Sequence, residues 1–539
     1  MEAQAKRKML EATKGYLLNT IEPTSNQQFV YGKIRKGGAI TFQESTGVEN
    51  KFLHMIICLA GHEVNAIKNI YLNENDCGLD SVSNGFITAH GYNSKVYIRK
   101  FLGADNQDVY STINSDSNLS GTGGKPEYEV SSGVAASNTE KTNFKGQGIA
   151  CLYVRFEYDR DVFTEGLPTI TAIIEGKKVY DPRKDSTSEG YDSSLGVSSH
   201  RSGTSSTWQY SANAALCVRD YIQASYGLDD GSYIDEVAFS VAATVCDSST
   251  ALADSGNEAQ YEINGANIMG AVPSDILRSM MQACGGMLYW SQGFWGLKAG
   301  SYSAPIRNFT LEDVRSDINI VSKQSRRDNF NVVQGTFADA KDNLYVTQEF
   351  PSIRSTTFIA NDGGQENVFD IDFNFVTSSS QAQRLAKQIL FRQREEFVFQ
   401  AEFSLKALDL RVSDVISFTD SRYGFSNKPF EVISYGLVNN SDAGDLRVAL
   451  TLRETSSAAY SWSAEETTIT ANNSTLANYK DNITPTNLSV SDVGGLQADQ
   501  TLIRLMRASF TPADNIFIDR YVVDYAFAGS TAYTSHILR

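Results

Sequence analysis

The segment Cys151 to Asp159, CLYVRFEYD, constrains the fold more than any other part of the chain. Leu152, Val154, Phe156 and Tyr158 alternate with Tyr153, Arg155 and Glu157. A period of two puts successive side chains on opposite faces of a strand, and no helix keeps such a set on one side. Ile170, Ala172 and Ile174 repeat the period in the next strand. Phe52 to Ala60 is a continuous apolar run, suited to a strand covered on both faces. Phe29 to Phe42, FVYGKIRKGGAITF, reads as two strands meeting at a Gly37-Gly38 turn. Composition points the same way: 28 Phe and 26 Tyr against 8 Met favour pleated, half-buried surfaces.

A chain of 539 residues, 41% apolar, exceeds one ordinary core and calls for about three or four domains. The first, 1–200, reads as β-rich, with a Ser/Asn/Asp/Gly-rich surface insertion at 104–147 and a Ser/Gly-rich boundary loop at 184–207. An α+β block at 201–300 follows. There Ala214, Ala215, Val218, Tyr221 and Ile222 have helical spacing, with Gly227 as a stop. A second helix is expected over 232–246. A third is expected over Ser274–Cys284, with Ser274 as N-cap, Asp275 at its positive end and Gly285-Gly286 closing it. The hairpin MLYWSQGFWGLKAG turns at Gln292-Gly293, and its Trp290 and Trp295 are expected to pack on the helix before it.

Strands return over 301–465, interrupted by one helix whose stripe is Ala382, Leu385, Ala386, Ile389 and Leu390. Arg384, Lys387, Arg392 and Arg394 fall largely off that stripe and read as a solvated face. Residues 466–484 lie in a Thr/Asn/Ser/Glu-rich stretch and read as a linker. Residues 485–539 carry LSVSD, LIRLMRASFTP and IDRYVVDYAF, a pattern like the opening strands of a fibronectin type III sandwich. Such a sandwich takes roughly 100 residues, so the expectation is a domain that continues past the last residue here.

The formal charge of −16 excludes a DNA binder that works by neutralising phosphates, which needs a basic face. It fits either an acidic wall past which DNA slides or plain solubility. The six cysteines, Cys58, Cys77, Cys151, Cys217, Cys246 and Cys284, show no C-x-x-C spacing. They read as small buried hydrophobes of a chain folded in a reducing cytosol. Residues 1–14 are polar with no apolar segment behind them, so no leader is expected. The longest apolar stretch, Met55 to Ala60, falls far short of the ~20 residues that span a bilayer.

Catalytic motifs are missing from the sequence. His54, His62, His90, His200 and His536 are scattered. His62-Glu63 opens like a zinc-protease helix, but position 66 is Ala where the second histidine belongs. There is no phosphate loop and no G-x-S-x-G elbow; Gly121, Gly123 and Gly124 do not follow a strand. Asp229-Asp230 and Asp370/Asp372 lack the spacing of a calcium loop and read as solvated turns. The expectation is therefore no catalytic, cofactor-binding or metal-binding residues, and no enzyme.

Several segments together resemble the tip attachment protein J family of long-tailed phages and the hub proteins of gene transfer agents. They are GHEVNAIKNIYLNE (61–74), GIACLYVRFEYDRDVFTEGLPTITAIIEGKKVYDPR (148–183), ALCVRDYIQASYGL (215–228) and ILRSMMQACGGMLYWSQGFWGLKAGSY (276–302). NVVQG (331–335), AQRLAKQIL (382–390) and LRVSDVISFTD (410–420) complete the set. The resemblance spans about 20–465 and departs from the family at 104–147 and 184–207, which are either phage-specific contacts or tolerated loops. It implies a β-rich multidomain hub in which β-barrel domains flank the α+β block. It further implies a homotrimer whose barrels form a pseudo-sixfold ring against the distal tail protein or tail tube. The implied partners are the C-terminus of the tape measure protein, other tail-tip or receptor-binding proteins, and DNA only in transit. The implied place is the virion tail tip. A tail-associated cell-wall-degrading enzyme and a host-receptor adhesin are the competing readings.

Overall fold

The computed structural model describes residues 17–21, 25–79, 84–120, 124–126, 145–164, 166–322, 329–341, 344–440, 445–469, 484–496, 498–513 and 518–538. Strands dominate. Six α-helices occur among these residues: α1 (Val109–Asn114), α2 (Ala214–Gln223), α3 (Glu236–Cys246), α4 (Pro273–Cys284), α5 (Thr356–Asn361) and α6 (Ser379–Arg394).

The period-two segments build a sandwich. One sheet has the order Ala39–Thr46, Phe52–Ala60, Ala150–Glu157, Val96–Phe101, Gly85–Ile87. The other runs Lys33–Lys36, Ile170–Glu175, Ala66–Leu72, Asn75–Asp76. Their facing side chains, among them Ile57, Ile98, Leu152 and Val154 against Ile34, Ile67, Ile70 and Ile174, form one core. Phe52–Ala60 is an inner strand, paired on both edges, which accounts for its unbroken apolar run.

The expected hairpin at 29–42 does not form. Lys33–Lys36 pairs with Ile170–Glu175 in one sheet, while Ala39–Thr46 pairs with Phe52–Ala60 in the other. Gly37-Gly38 carries the chain between the two layers at very close range. A Cβ on Gly37 would stand 2.4 Å from the Leu18 carbonyl oxygen, and one on Gly38 would stand 2.2 Å from that of Cys58. The 104–147 segment is also more than a surface insertion. Val109 and Ile113 of α1, with Leu119, are fully buried on the outer face of the five-stranded sheet, against Ile56, Tyr97, Cys151 and Tyr153. This second layer is why Tyr153 is as buried as Leu152 and Val154. Residues 127–144 lie outside the described residues.

A second core gathers all the middle helices. It takes Phe29 and Tyr31 from the first strand, the apolar faces of α2, α3 and α4, Val333, Phe337 and Phe373, and the α6 stripe Ala382, Leu385, Ala386 and Leu390. The helix expected over 232–246 begins as a 3-10 turn at Gly231–Tyr233. α3 proper starts after Asp235, whose carboxylate accepts the Ala238 N–H at 3.0 Å. α4 starts one residue before the expected cap: Val272 is the N-cap and Pro273 occupies the first turn, where its missing N–H is no loss.

The third core lies in a six-stranded sheet. Its order is Arg307–Thr310, Val415–Asp420, Phe425–Asn440, Asp445–Glu454, Val398–Phe403, Asn319–Val321. Arg307–Thr310 runs parallel to its neighbour. The sheet curls until Phe309 meets Phe403 edge-on at 5.3 Å, yet no ladder joins its two edge strands. No closed β-barrel occurs among the described residues, contrary to the barrels that the family resemblance implied. Phe309, Phe399, Phe403, Phe418 and Phe430 fill the space within the curl, and Arg307–Thr310 and Asn319–Val321 remain edges. Beyond it, Thr486–Leu496 pairs with Leu502–Thr511 and Tyr521–Tyr525 with Thr534–Leu538, each pair antiparallel.

The basic side of α6 departs from expectation. Arg384 is only 1% exposed, and its guanidinium donates to Glu258 Oε1 at 2.5 Å, Ser380 Oγ at 2.8 Å and the Gln260 carbonyl at 2.8 Å. Lys387 binds Glu465, Arg392 binds Glu431 and Arg394 binds Asp362. The solvated face is instead an ion-paired one, because the chain returns over it. Thr467 and Gln383 exchange two hydrogen bonds, and Ile469 packs against the core, so the expected linker begins as a strap on α6. Arg384→Ala removes one member of a buried pair and is expected to cost about 3 kcal/mol of stability, with Arg384→Met costing less. Urea unfolding followed by circular dichroism checks both values.

Candidate functional site

The histidines are structural and stay apart. Buried His54 bridges Thr46 Oγ1 and the Tyr153 hydroxyl, each at 2.7 Å. His62 Nε2 accepts the Val30 N–H at 2.9 Å, and burial lowers its pKa to about 4, so the ring is neutral. His90 contacts the Asp76 carbonyl, and His200 Nδ1 accepts the Asp181 N–H at 3.2 Å. His536 sits in the last hairpin. The acidic pairs are equally committed. Asp230 accepts the Trp295 indole N–H at 2.7 Å, Asp370 accepts from Gln334 and Asp372 from Thr336. Gly124 accepts from Arg155, while Gly121 and Gly123 lie outside the described residues. Among the described residues no group of three or more His, Cys, Asp or Glu side chains could hold a metal ion.

Two features that single residues in the sequence do not announce stand out. The first is a buried polar junction between the sandwich and the helical core. The Tyr31 hydroxyl donates to Asp220 Oδ2 at 2.5 Å and the Lys177 ammonium to the same oxygen at 2.8 Å, with the Tyr226 hydroxyl beside both. Burial would lower the Lys177 pKa, but Asp220 reverses that and holds it above the usual lysine range. Nearby, Lys36 is 1% exposed and donates only to neutral acceptors, the Gln28 side-chain oxygen and, at 2.6 Å, the Leu59 carbonyl. Burial with no opposing carboxylate pushes its pKa down to about 7.

The second is an exposed aromatic surface on the hairpin Met287–Ser291/Phe294–Lys298. Its turn is at Gln292-Gly293, both with positive φ, as the sequence predicts. The strand Phe294–Lys298 packs on α3 rather than on the helix before it. The Asp235 N–H donates to the Trp295 carbonyl at 2.9 Å, and the Trp295 indole reaches Asp230, so the hairpin is pinned to the start of α3. Trp290 is the cross-strand partner of Trp295 and shares its face, at the exposed side of that contact. Trp290, Tyr233 and Phe294 are 50%, 51% and 47% exposed, with Tyr233 6.0 Å and Trp295 5.1 Å from the Trp290 ring. α3 adds exposed Val237 and Val241. Tyr233 comes from the 3-10 turn before α3 and Trp290 from the hairpin, and Trp and Tyr are enriched among the side chains that anchor protein–protein interfaces.

Residues 273–432, which include this hairpin and α6, match the family model described as "Putative phage tail protein". No curated protein matches the chain. Among solved structures, the chain is similar to a component of the virion of a native gene transfer agent particle. That likeness has 10% identity, covers 82% of this chain and 88% of the other, and has a TM-score of 0.49. It is also similar to the 43 kDa tail protein of prophage MuSo2 from Shewanella oneidensis, at 9% identity, 79% and 97% coverage and a TM-score of 0.29.

The Lys36 environment sets a pH dependence. The folded state gives up the Lys36 proton near pH 7, whereas the unfolded chain keeps it until the ordinary lysine range, so stability rises with pH between the two. Lys36→Met removes the burial penalty. It is expected to stabilise the protein most below pH 7, with the gain shrinking as pH rises. Urea midpoints measured across that range check the sign.

Proposed function

We propose that the chain is a structural subunit of a phage tail, and specifically the trimeric central hub of the tail tip. The match of residues 273–432 to the phage tail family model carries this reading. The sequence segments that resemble tail-tip hubs extend it over about 20–465. In this role the hub closes the distal end of the tail tube, holds the C-terminus of the tape measure protein, contacts the distal tail protein and lets DNA pass on ejection. The work is mechanical rather than catalytic: subunit contacts differ between a closed and an open state. The architecture suits it. Residues 28–36 and the Tyr31–Asp220–Lys177 junction tie the sandwich to the helical core, and Lys298 and Arg392 on Glu431 tie that core to the six-stranded sheet, which makes a body able to transmit force between neighbours. The exposed Tyr233–Trp290 pair, with Phe294 beside the hairpin turn, is where a neighbouring tail subunit seats.

Electron microscopy of the intact particle, with the chain labelled, is expected to place it at the distal end of the tail on the axis, in three copies. A solitary chain, or one mounted off the axis, overturns the hub; lytic activity on cell-wall polymer would favour an enzyme instead. Trp290→Ala combined with Phe294→Ala is expected to reduce incorporation into tails at least tenfold, the loss of about 1.4 kcal/mol or more of contact energy. Both rings are half exposed, so the melting temperature of the purified chain is expected to hold.

A further inference from the structure

Cys58 and Cys151 stand directly opposite each other on the neighbouring antiparallel strands Phe52–Ala60 and Ala150–Glu157. Opposed residues in such a pair have Cα atoms about 4.5 or 5.5 Å apart and side chains on one face. Both spacings fall inside the roughly 4.4–6.8 Å that a disulfide spans. The shared face is borne out by packing. Cys151 lies in the layer of Ile56, Tyr97 and Tyr153, and Cys58 packs against that same layer. Both are free thiols, and Cys58 is half-buried. It lines a groove of about 780 Å3 that is also bordered by Leu18, Gln28, Thr41 and Ala60, and the Thr41 hydroxyl touches its sulfur at 3.4 Å. The register shifts between Cys58 and Ala60, so the strand carries an irregularity beside the thiol. The remaining cysteines, Cys77, Cys217, Cys246 and Cys284, are buried and do not line this groove.

We infer that Cys58 and Cys151 are an oxidisable dithiol that closes into a cross-strand disulfide when a small disulfide reagent enters by the groove. In the first step the Cys58 thiolate attacks one sulfur of glutathione disulfide. A Cys58–glutathione bond forms, the reagent's S–S bond breaks and one glutathione thiolate leaves. In the second, the Cys151 thiolate attacks the Cys58 sulfur and expels the second glutathione. The two protein thiols are oxidised, the reagent is reduced to two glutathione molecules, and the two protons shed by the cysteines end on them. Burial holds both thiols above the ordinary cysteine range, so the exchange is slow at neutral pH and quicker in mild alkali. The new bond would close a loop of about 90 residues, which restricts the unfolded chain.

The full chain, folded and reduced, is incubated with glutathione disulfide under mildly alkaline conditions and mapped by trypsin and mass spectrometry without reductant. The expected result is a product lighter by two hydrogens, with residues 52–68 linked to residues 146–155, reversal by dithiothreitol and a melting temperature raised by several degrees. Cys58→Ser and Cys151→Ser are each expected to abolish the link; the wild-type map decides the matter even if a variant folds poorly. A stable glutathione adduct on Cys58, no reaction at either thiol, or a link confined to other cysteines overturns the inference.

Discussion

Residues 28–36 serve two sheets at once, and the rest of the architecture depends on that shared strand. Gln28–Tyr31 pairs with Gly265–Ile268 of the helical block, and Lys33–Lys36 pairs with Ile170–Glu175 of the sandwich. Gly32 makes the switch at φ +61, with the Ile263 carbonyl oxygen 2.0 Å from where a Cβ would stand. Gly176 approaches from the other side, its missing Cβ 2.2 Å from the Val30 carbonyl oxygen. Only bare backbone fits between these neighbours, so sandwich and helical block are joined by ladders rather than by a flexible tether.

Charge is arranged to keep that joint from sliding. Asp220 receives Tyr31 from the first strand and Lys177 from the strand-turn beside it, and burial makes each of those bonds stronger than it would be in water. On the opposite side of the helical core, Arg384 ties α6 to Glu258, and Lys298 and Arg392 both reach Glu431 of the six-stranded sheet. Many of the protein's charges are therefore spent inward, on holding sheets and helices in register. The aromatic hairpin and α3 are left as the conspicuous apolar surface of the middle block.

Much of the local structure was legible because it follows from short-range periodicity. The alternation at 152–156, the unbroken run at 52–60, the α6 stripe and the Gln292-Gly293 turn all stand as the sequence predicts. What escaped was set by distant partners. Nothing local distinguishes a Gly-Gly hairpin from a Gly-Gly crossing between layers, since the deciding contacts come from Leu18 and Cys58. Arg384 looks like any solvated arginine until Glu258 and Gln260 arrive from another segment. The docking of the hairpin on α3 depends on Asp230 and Asp235 capturing Trp295. The Tyr31–Asp220–Lys177 junction escaped as well, because its members are spread over nearly 200 positions.

The shared strand also fixes a timetable. Gln28–Tyr31 leaves the ribosome about 240 residues before its partner Gly265–Ile268. At roughly 5–20 residues per second, the first strand waits about 10–50 s before its outer edge is closed. For most of that interval Phe29 and Tyr31, later among the most buried rings of the helical core, lack Tyr221 and Tyr226, which pack on them in the folded chain. The nascent chain is thus most exposed to chaperones, and to sticking to its own copies on a polysome, until the helical block is made.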